Sequence, residues 1–460
     1  MRQPSFLRRL RQDGRLFWRI SLIAVVVSGC AWAQLSYLSP LDASAGLPGG
    51  LQIAGLSAYV ADISLGNYAL TSGTSVSNIP LGSMLTYGTS AELGWLSQGP
   101  RTQFVVDYRG AYNRNERFSS LDGFDHSLTF DLRIKATPRL KLSFDGHGES
   151  TTVEGSLFST LPDSSVVQAA PSFELLTTSL TSNLGTVGTG ASPLAFALFG
   201  SRLNSVGLGV SATFQQTPRL SWHWTAHGSR TFPGSTISLA AVGSMAAVGS
   251  IPYPAFIYGV GEFGFDYLLS RRTTIGGTLD YSRADSIYSR FQAPSGAFDI
   301  EHVLTPNWFL KGEAGYGVLD DFLIKTGSPW FPEYRGGGGV GTKQGSNTFL
   351  LSARREIGDV YGLGAGSTLD GGLSWHWQRP AGNWSVDNSG GYERLTGHLV
   401  RLFQGWVYQG GVTRKLTKQT SLSLQGVYAK SSGGFTSSST TFNRSEIRMT
   451  MNWTPGAIRP

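Results

Sequence analysis

Apolar and polar side chains alternate along this chain with a period of two. Over 126–136, Leu128, Phe130, Leu132 and Ile134 share one parity, and Thr129, Asp131, Arg133 and Lys135 take the other. Over 140–149, Leu140, Leu142 and Phe144 oppose Lys141, Ser143, Asp145, His147 and Glu149. Over 219–230, Leu220, Trp222, Trp224 and Ala226 oppose Ser221, His223, Thr225 and His227. Such a period predicts β-strands that separate an oily side from a wet one. Runs of this kind are joined by Thr137-Pro138-Arg139-Leu140, Thr217-Pro218-Arg219-Leu220 and Thr305-Pro306-Asn307-Trp308. Proline sets φ at a turn corner and cannot serve a central ladder, so these are tight turns between antiparallel strands.

The pattern gives eighteen strands: 55–66, 84–96, 102–115, 126–136, 140–152, 204–216, 219–231, 255–268, 273–285, 294–304, 308–319, 334–344, 347–360, 366–378, 383–396, 402–415, 420–431 and 442–453. Most exceed the ~9–11 residues that a tilted strand needs to cross a bilayer. Every second connection is short: 98–101, 137–139, 217–218, 269–272, 305–307, 345–346, 379–382 and 416–419. The others are longer, above all 153–203 and 232–254. Both chain ends then fall on the short-turn side, which requires an even number of strands. Eighteen includes the weaker run at 55–66, and sixteen is the alternative.

What surrounds the strands is set by the leader. Arg8, Arg9, Arg11, Arg15 and Arg19 form a basic region, and Ile20 to Val27 is an apolar run too short to span a bilayer. Ala31-Trp32-Ala33 fits a small-x-small cleavage site before Gln34, while Val27-Ser28-Gly29-Cys30 resembles a lipobox that would acylate Cys30. Residues 1–33 are therefore a signal peptide, and 34–54 an N-terminal segment before the strands. Cys30 is the only cysteine, which excludes disulfides and thiolate metal sites. The leader also holds six arginines against Asp13, leaving 31 basic and 29 acidic residues beyond it. The basic pI thus gives no support to nucleic-acid binding. The exported part has no continuous apolar run of helix-spanning length, and the other way to satisfy every backbone amide in lipid is a closed barrel.

Ten tryptophans follow the leader. Trp95, Trp222, Trp224, Trp308, Trp375, Trp377, Trp384 and Trp453 lie within about five residues of a short turn, and only Trp330 and Trp406 fall elsewhere. Indole favours the membrane–water boundary, so this clustering predicts an aromatic girdle at the short-turn end. The leader, the hairpin series, the girdle and a final strand reading Met449-x-Met451-x-Trp453 resemble a Gram-negative outer-membrane β-barrel of the porin type, over residues 55 to 453. One departure is a C-terminal extension, 454–460, beyond the aromatic residue on which such barrels commonly end. The resemblance implies an all-β, up-and-down antiparallel transmembrane barrel with short periplasmic turns and long extracellular loops. It also implies residence in the bacterial outer membrane. The partners it implies are outer-membrane lipid and lipopolysaccharide, the barrel-assembly machinery and small polar solutes, with neither nucleic acid nor cofactor.

The polar parity carries the candidate lumen. It collects Asp107 and Arg109; Asp131, Arg133 and Lys135; Lys141, Asp145, His147 and Glu149; Glu262 and Asp266; Lys311 and Glu313; Asp370 and His376; Glu446 and Arg448. Ionised groups in such numbers are too costly for a dry interior and call for water or a polar plug. Eighteen strands close to a radius that leaves an aqueous channel. Both charge signs are present and few aromatics point inward, which favours neither strong ion selectivity nor a sugar slide. The reading is a passive diffusion channel. Polysaccharide export and a plugged structural or adhesive barrel are the alternatives in kind.

Enzyme readings are weaker. His227-Gly228-Ser229 puts a base and a hydroxyl on one face, as an outer-membrane hydrolase would, but the pair shares the lumen parity and has no acid to orient the histidine. Gly259-Val260-Gly261-Glu262-Phe263-Gly264 spells a dinucleotide fingerprint, yet Phe265-Asp266-Tyr267 continues a strand where a helix should start. Asp320-Asp321, with Asp131, Asp145, Glu149 and Asp280, lacks the spacing of a calcium loop and reads as solvated. Neither a catalytic nor a metal-binding set is expected. The 153–203 connection, with its apolar middle Val166 to Leu184, either folds inward as a constriction or packs over the rim. Leu132 is placed near mid-strand, facing lipid with Trp222 and Trp375, while Arg133, His223 and His376 face the lumen.

Mass spectrometry of the protein from outer membranes should find its N-terminus at Gln34, or at acylated Cys30 if the lipobox is used. Recovery with residues 1–33 still attached would refute the export argument.

Overall fold

A computed structural model of the chain describes residues 50–72, 75–116, 122–152, 202–233, 255–286, 290–321, 330–359, 365–379, 382–397, 400–435 and 438–454. Eighteen strands run in chain order. They are β1 Gly50–Ser72, β2 Ser75–Gln98, β3 Thr102–Asn115, β4 Gly123–Lys135, β5 Leu140–Thr152 and β6 Arg202–Gln215. Next come β7 Leu220–Pro233, β8 Phe256–Ser270, β9 Thr273–Ser286, β10 Arg290–Thr305, β11 Trp308–Asp321 and β12 Trp330–Gln344. The last six are β13 Asn347–Asp359, β14 Ala365–Gln378, β15 Trp384–Gly397, β16 Val400–Lys415, β17 Thr420–Phe435 and β18 Ser438–Trp453. Each pairs antiparallel with the next, and β18 returns to β1, with Ala61 opposite Arg448 and Tyr59 opposite Thr450. The sheet therefore closes as an 18-stranded barrel in which every strand has a neighbour on both sides.

The short turns repeat one local device. Thr137 Oγ1 accepts from the amides of Arg139 and Leu140, at 3.2 and 3.0 Å, and Thr217 does the same for Arg219 and Leu220. Thr417 accepts from Gln419 and Thr420 without any proline in its turn, so threonine is the common element. Gly345 takes φ +58° in the two-residue connection between β12 and β13, a conformation that glycine adopts without steric cost.

The opposite end departs from the sequence reading. β1 begins at Gly50, five residues before the expected 55, and runs on to Ser72. β1 and β2, β15 and β16, and β17 and β18 are each separated by only two residues, and β9 and β10 by three. Many expected loops are thus ladder. The reason is physical: apolar alternation exists only where one face meets an oily environment. Beyond that band the same ladder continues with polar residues on both faces, and the pattern falls silent.

One parity faces outward and is apolar. Phe298 is 74% exposed, Leu279 66% and Leu208 60%, values that a water-soluble surface would not carry as a belt. All eight turn-proximal tryptophans share that parity by register, as does Trp406. Trp222 Nε1 donates to Gln216 Oε1 at 2.8 Å and Trp375 Nε1 to Asn347 Oδ1 at 3.0 Å, tying ring to turn. Trp95 meets Phe104 edge-on at 6.0 Å, and Trp222 stacks on Phe263 at 5.5 Å. Leu132 lies opposite Phe104, three residues from the end of β4, so it sits at girdle height. The expectation that it lies mid-strand is corrected; Leu279 occupies that level.

Leu279→Arg should cost about 2–4 kcal/mol, the penalty for arginine at a bilayer midplane, and Leu132→Arg only about 0–1 kcal/mol. Urea unfolding from lipid vesicles would measure both. Equal penalties at the two positions would contradict the assigned heights.

Candidate functional site: the lumen wall and its narrowing

The register carries one inward parity round the whole ring. Asp107 and Arg109 on β3 face in beside Glu92 of β2; Asp131, Arg133 and Lys135 on β4 meet Asp145, Ser143 and Lys141 of β5; His147 and Glu149 continue that row. Glu262 and Asp266 of β8 lie across from Thr225 and Ser221 of β7. Lys311 and Glu313 of β11 pair with Glu301 and Asp299 of β10. Asp370 and His376 of β14 oppose Glu393 and Asp387 of β15, and Glu446 and Arg448 complete the circle on β18. All are on the inner face, but they are not brought together into one cluster. Several form local pairs: Arg133–Asp131 at 2.7 Å, Lys311–Glu301 at 3.1 Å, His376–Asp387 at 2.5 Å, and Glu446 between Arg444 at 2.6 Å and Arg448 at 2.8 Å.

Glycines opposite these groups shape the wall. His147 faces Gly207, Asp145 faces Gly209, His223 faces Gly264 and Asp299 faces Gly276. A Cβ at any of the four would collide with the facing side chain. Polar groups therefore lie flat against the neighbouring strand instead of projecting into the bore. Across the glycines of β6, His147 and His227 stack with ring centroids 5.9 Å apart and 8° between planes. His223 sits between Glu262 at 3.5 Å and Asp266 at 3.4 Å.

The candidate enzyme motifs dissolve in this geometry. His227 and Ser229 both point inward from β7, away from lipid, and neither side chain makes a hydrogen bond or ion pair among the described residues. Gly259 to Gly264 lies wholly within β8. Asp320, expected as a solvated loop acid, is in β11 and 4% exposed, where its Oδ2 accepts from Gln292 Nε2 at 3.0 Å. Strand extension past the oily band again explains the difference.

The narrowing lies at β9–β13, which the sequence reading did not single out. Arg335 of β12 reaches Asp280 of β9, Ser295 of β10 at 2.7 Å and Glu313 of β11 at 2.7 Å. Ser295 Oγ also donates to Asp280 at 2.7 Å. One guanidinium thus spans four strands, which requires a tightly curved wall. The run Gly336 to Gly339 provides the curvature: a Cβ at Gly336 would stand 2.7 Å from the Glu313 carbonyl, and at Gly337 2.6 Å from that of Ala353. Beyond Arg355, β13 leaves β12: their ladder ends at Gly336–Arg355, although both strands continue with their other neighbours. The freed end of β13 leans toward β10, and Ile357 packs on the buried cluster of Ala284, Phe291, Ala293 and Leu319. The inward residues of that cluster would otherwise line the bore. A glycine run inside an otherwise regular strand was the available signal. The 153–203 connection, the expected constriction, lies outside the described residues apart from Arg202 and Leu203.

No family model matches the chain, and no curated protein matches it. Among solved structures, the chain is similar to the outer membrane protein OpdK of Pseudomonas aeruginosa, with 11% identity and a TM-score of 0.38, over 86% of this chain and 99% of that one. It is similar to OccK2 (OpdF) of the same organism, with 11% identity and a TM-score of 0.41, over 88% and 99%. It is also similar to OccAB4 of Acinetobacter baumannii, with 9% identity and a TM-score of 0.38, over 88% and 99%. At these scores the likenesses add nothing to the barrel that the hydrogen-bond register already describes.

Replacing Arg335 by Leu strands Asp280 and Glu313, whose side chains are only 12% and 19% exposed. The expected loss is about 3 kcal/mol, the lower end for breaking a buried pair. Asp280→Asn with Glu313→Gln, added to Arg335→Leu, should recover part of it in the same unfolding experiment. A fully stable single variant would show that the network holds nothing.

Proposed function

We propose that this protein is an outer-membrane channel for the passive diffusion of small polar solutes. The supporting observation is the closed ladder whose outer face is apolar across its central band and whose inner face carries ionisable groups all the way round. Such a wall divides lipid from water, and 18 strands enclose a bore too wide for side chains alone to fill. Solutes would pass between the flat polar wall of β4–β8 and the narrowed side at β9–β13. Selection would come from pore width and the mixed charges. Short turns on one side and both barrel ends with them support a periplasmic assignment for that side.

The end of β13 is the proposed constriction. It is held by its ladder to β14 and by apolar contacts of Ile357, and not by the β12–β13 ladder, so it would narrow the bore without closing the wall. Inward placement of His227 and Ser229 speaks against the lipid hydrolase, which needs that pair at the lipid face. Export of a polysaccharide finds no support in the inward wall, where aromatic platforms are few.

Purified protein should give stepwise conductance in planar bilayers. Ile357→Gly should enlarge the step by loosening the end of β13 from its apolar seat. An unchanged step would move the constriction elsewhere, and no conductance from either form would favour a plugged barrel.

A further inference from the structure

Charge is segregated by height in this barrel. The eight short connections contain Arg101, Arg139, Arg219, Arg271, Arg272, Arg379 and Lys418, and not one Asp or Glu. All seven are exposed, and none forms an ion pair among the described residues. The other end carries both signs, as in Asp285 with Arg290 at 2.9 Å. The turn arginines are held by the fold. The carbonyls of Arg101, Arg139, Arg219 and Arg272 accept from the amides of Lys135, Gln215, Leu268 and Val303, which belong to the next hairpin in each case. Their backbones thereby form a fixed rim.

The tryptophan girdle gives the rim its depth. Trp222 and Trp224 lie three and five residues beyond Arg219, and Arg414, on the outward parity of β16, lies over the Trp384 ring at 5.1 Å. Indoles mark the headgroup boundary, so cations one step further from the bilayer centre stand at the level of lipid phosphates. We infer that this rim binds anionic phospholipid headgroups, with phosphatidylglycerol as the minimal ligand. The alternatives, an acidic protein or bulk water, would not account for cations aligned beneath the girdle at six of the eight short connections.

The inference rests on the membrane reading above, and the two fail differently. The test is quenching of the protein's own tryptophan fluorescence in vesicles by brominated phosphatidylglycerol against brominated phosphatidylcholine. The anionic lipid should associate about five-fold more strongly, the ratio expected from one basic residue near an anionic surface. The preference should vanish at about 1 M salt, where the Debye length is about 3 Å. A variant carrying Arg139→Gln, Arg219→Gln, Arg271→Gln and Arg272→Gln should bring the ratio close to one while keeping its heat-dependent gel shift. A variant with Arg114→Gln, Arg230→Gln and Arg283→Gln, at the opposite end, should keep most of the preference. Failure to enter vesicles would refute the membrane reading. Insertion with a ratio of one, or a ratio that only the opposite-end variant lowers, would overturn the lipid assignment.

Discussion

Every backbone amide of a chain in lipid must find its partner within the chain, and this fold follows from that constraint. An open sheet would leave two strands with unpaired N–H and C=O groups facing hydrocarbon, at several kcal/mol each. The pairing of β1 with β18 removes both edges. Closure then fixes much else. It makes the strand number even once both ends lie on one side, and it keeps a single inward parity all the way round. It also turns a two-residue alternation into a division between lipid and lumen.

The constraint relaxes where the wall leaves the hydrocarbon, and the structure departs from regularity there. Nine register pairs join β12 to β13 before they part. At ~3.3 Å per residue and a tilt near 40°, that ladder rises roughly 23 Å, close to the ~25 Å apolar band of such barrels. The seam thus opens near the outer boundary, where water can satisfy the amides it releases. Parted from β12 but still paired with β14, the end of β13 gains apolar contacts of Ile357 with the buried cluster of β9–β11.

Parity and turns were legible in the sequence because each rests on local chemistry. Leu128 through Lys135 alternate because one side of β4 meets lipid, and Thr137-Pro138 turns because threonine and proline bias the backbone there. Strand length was not legible, since Ser, Thr and Asn beyond the band pair as well as they would solvate; β1 and β2 show this most. The narrowing was hidden for a different reason. Arg335, Asp280, Ser295 and Glu313 come from four strands, and only the curvature of the closed wall brings them together.

Glycine connects these observations. In an isolated sheet Gly207, Gly264 or Gly337 would only weaken a strand through lost side-chain contacts and entropy. In a closed wall they do two further things. Opposite a histidine or carboxylate, an inward glycine lets the polar group lie flat against the wall at β5–β8. Repeated from Gly336 to Gly338, glycines let the backbones of β11, β12 and β13 come close together, which lets the wall bend there. The same residue type thus shapes both sides of the lumen wall, in one case by facing a side chain and in the other a backbone. Pore shape in this barrel is therefore written as much in missing side chains as in the charged ones that line it.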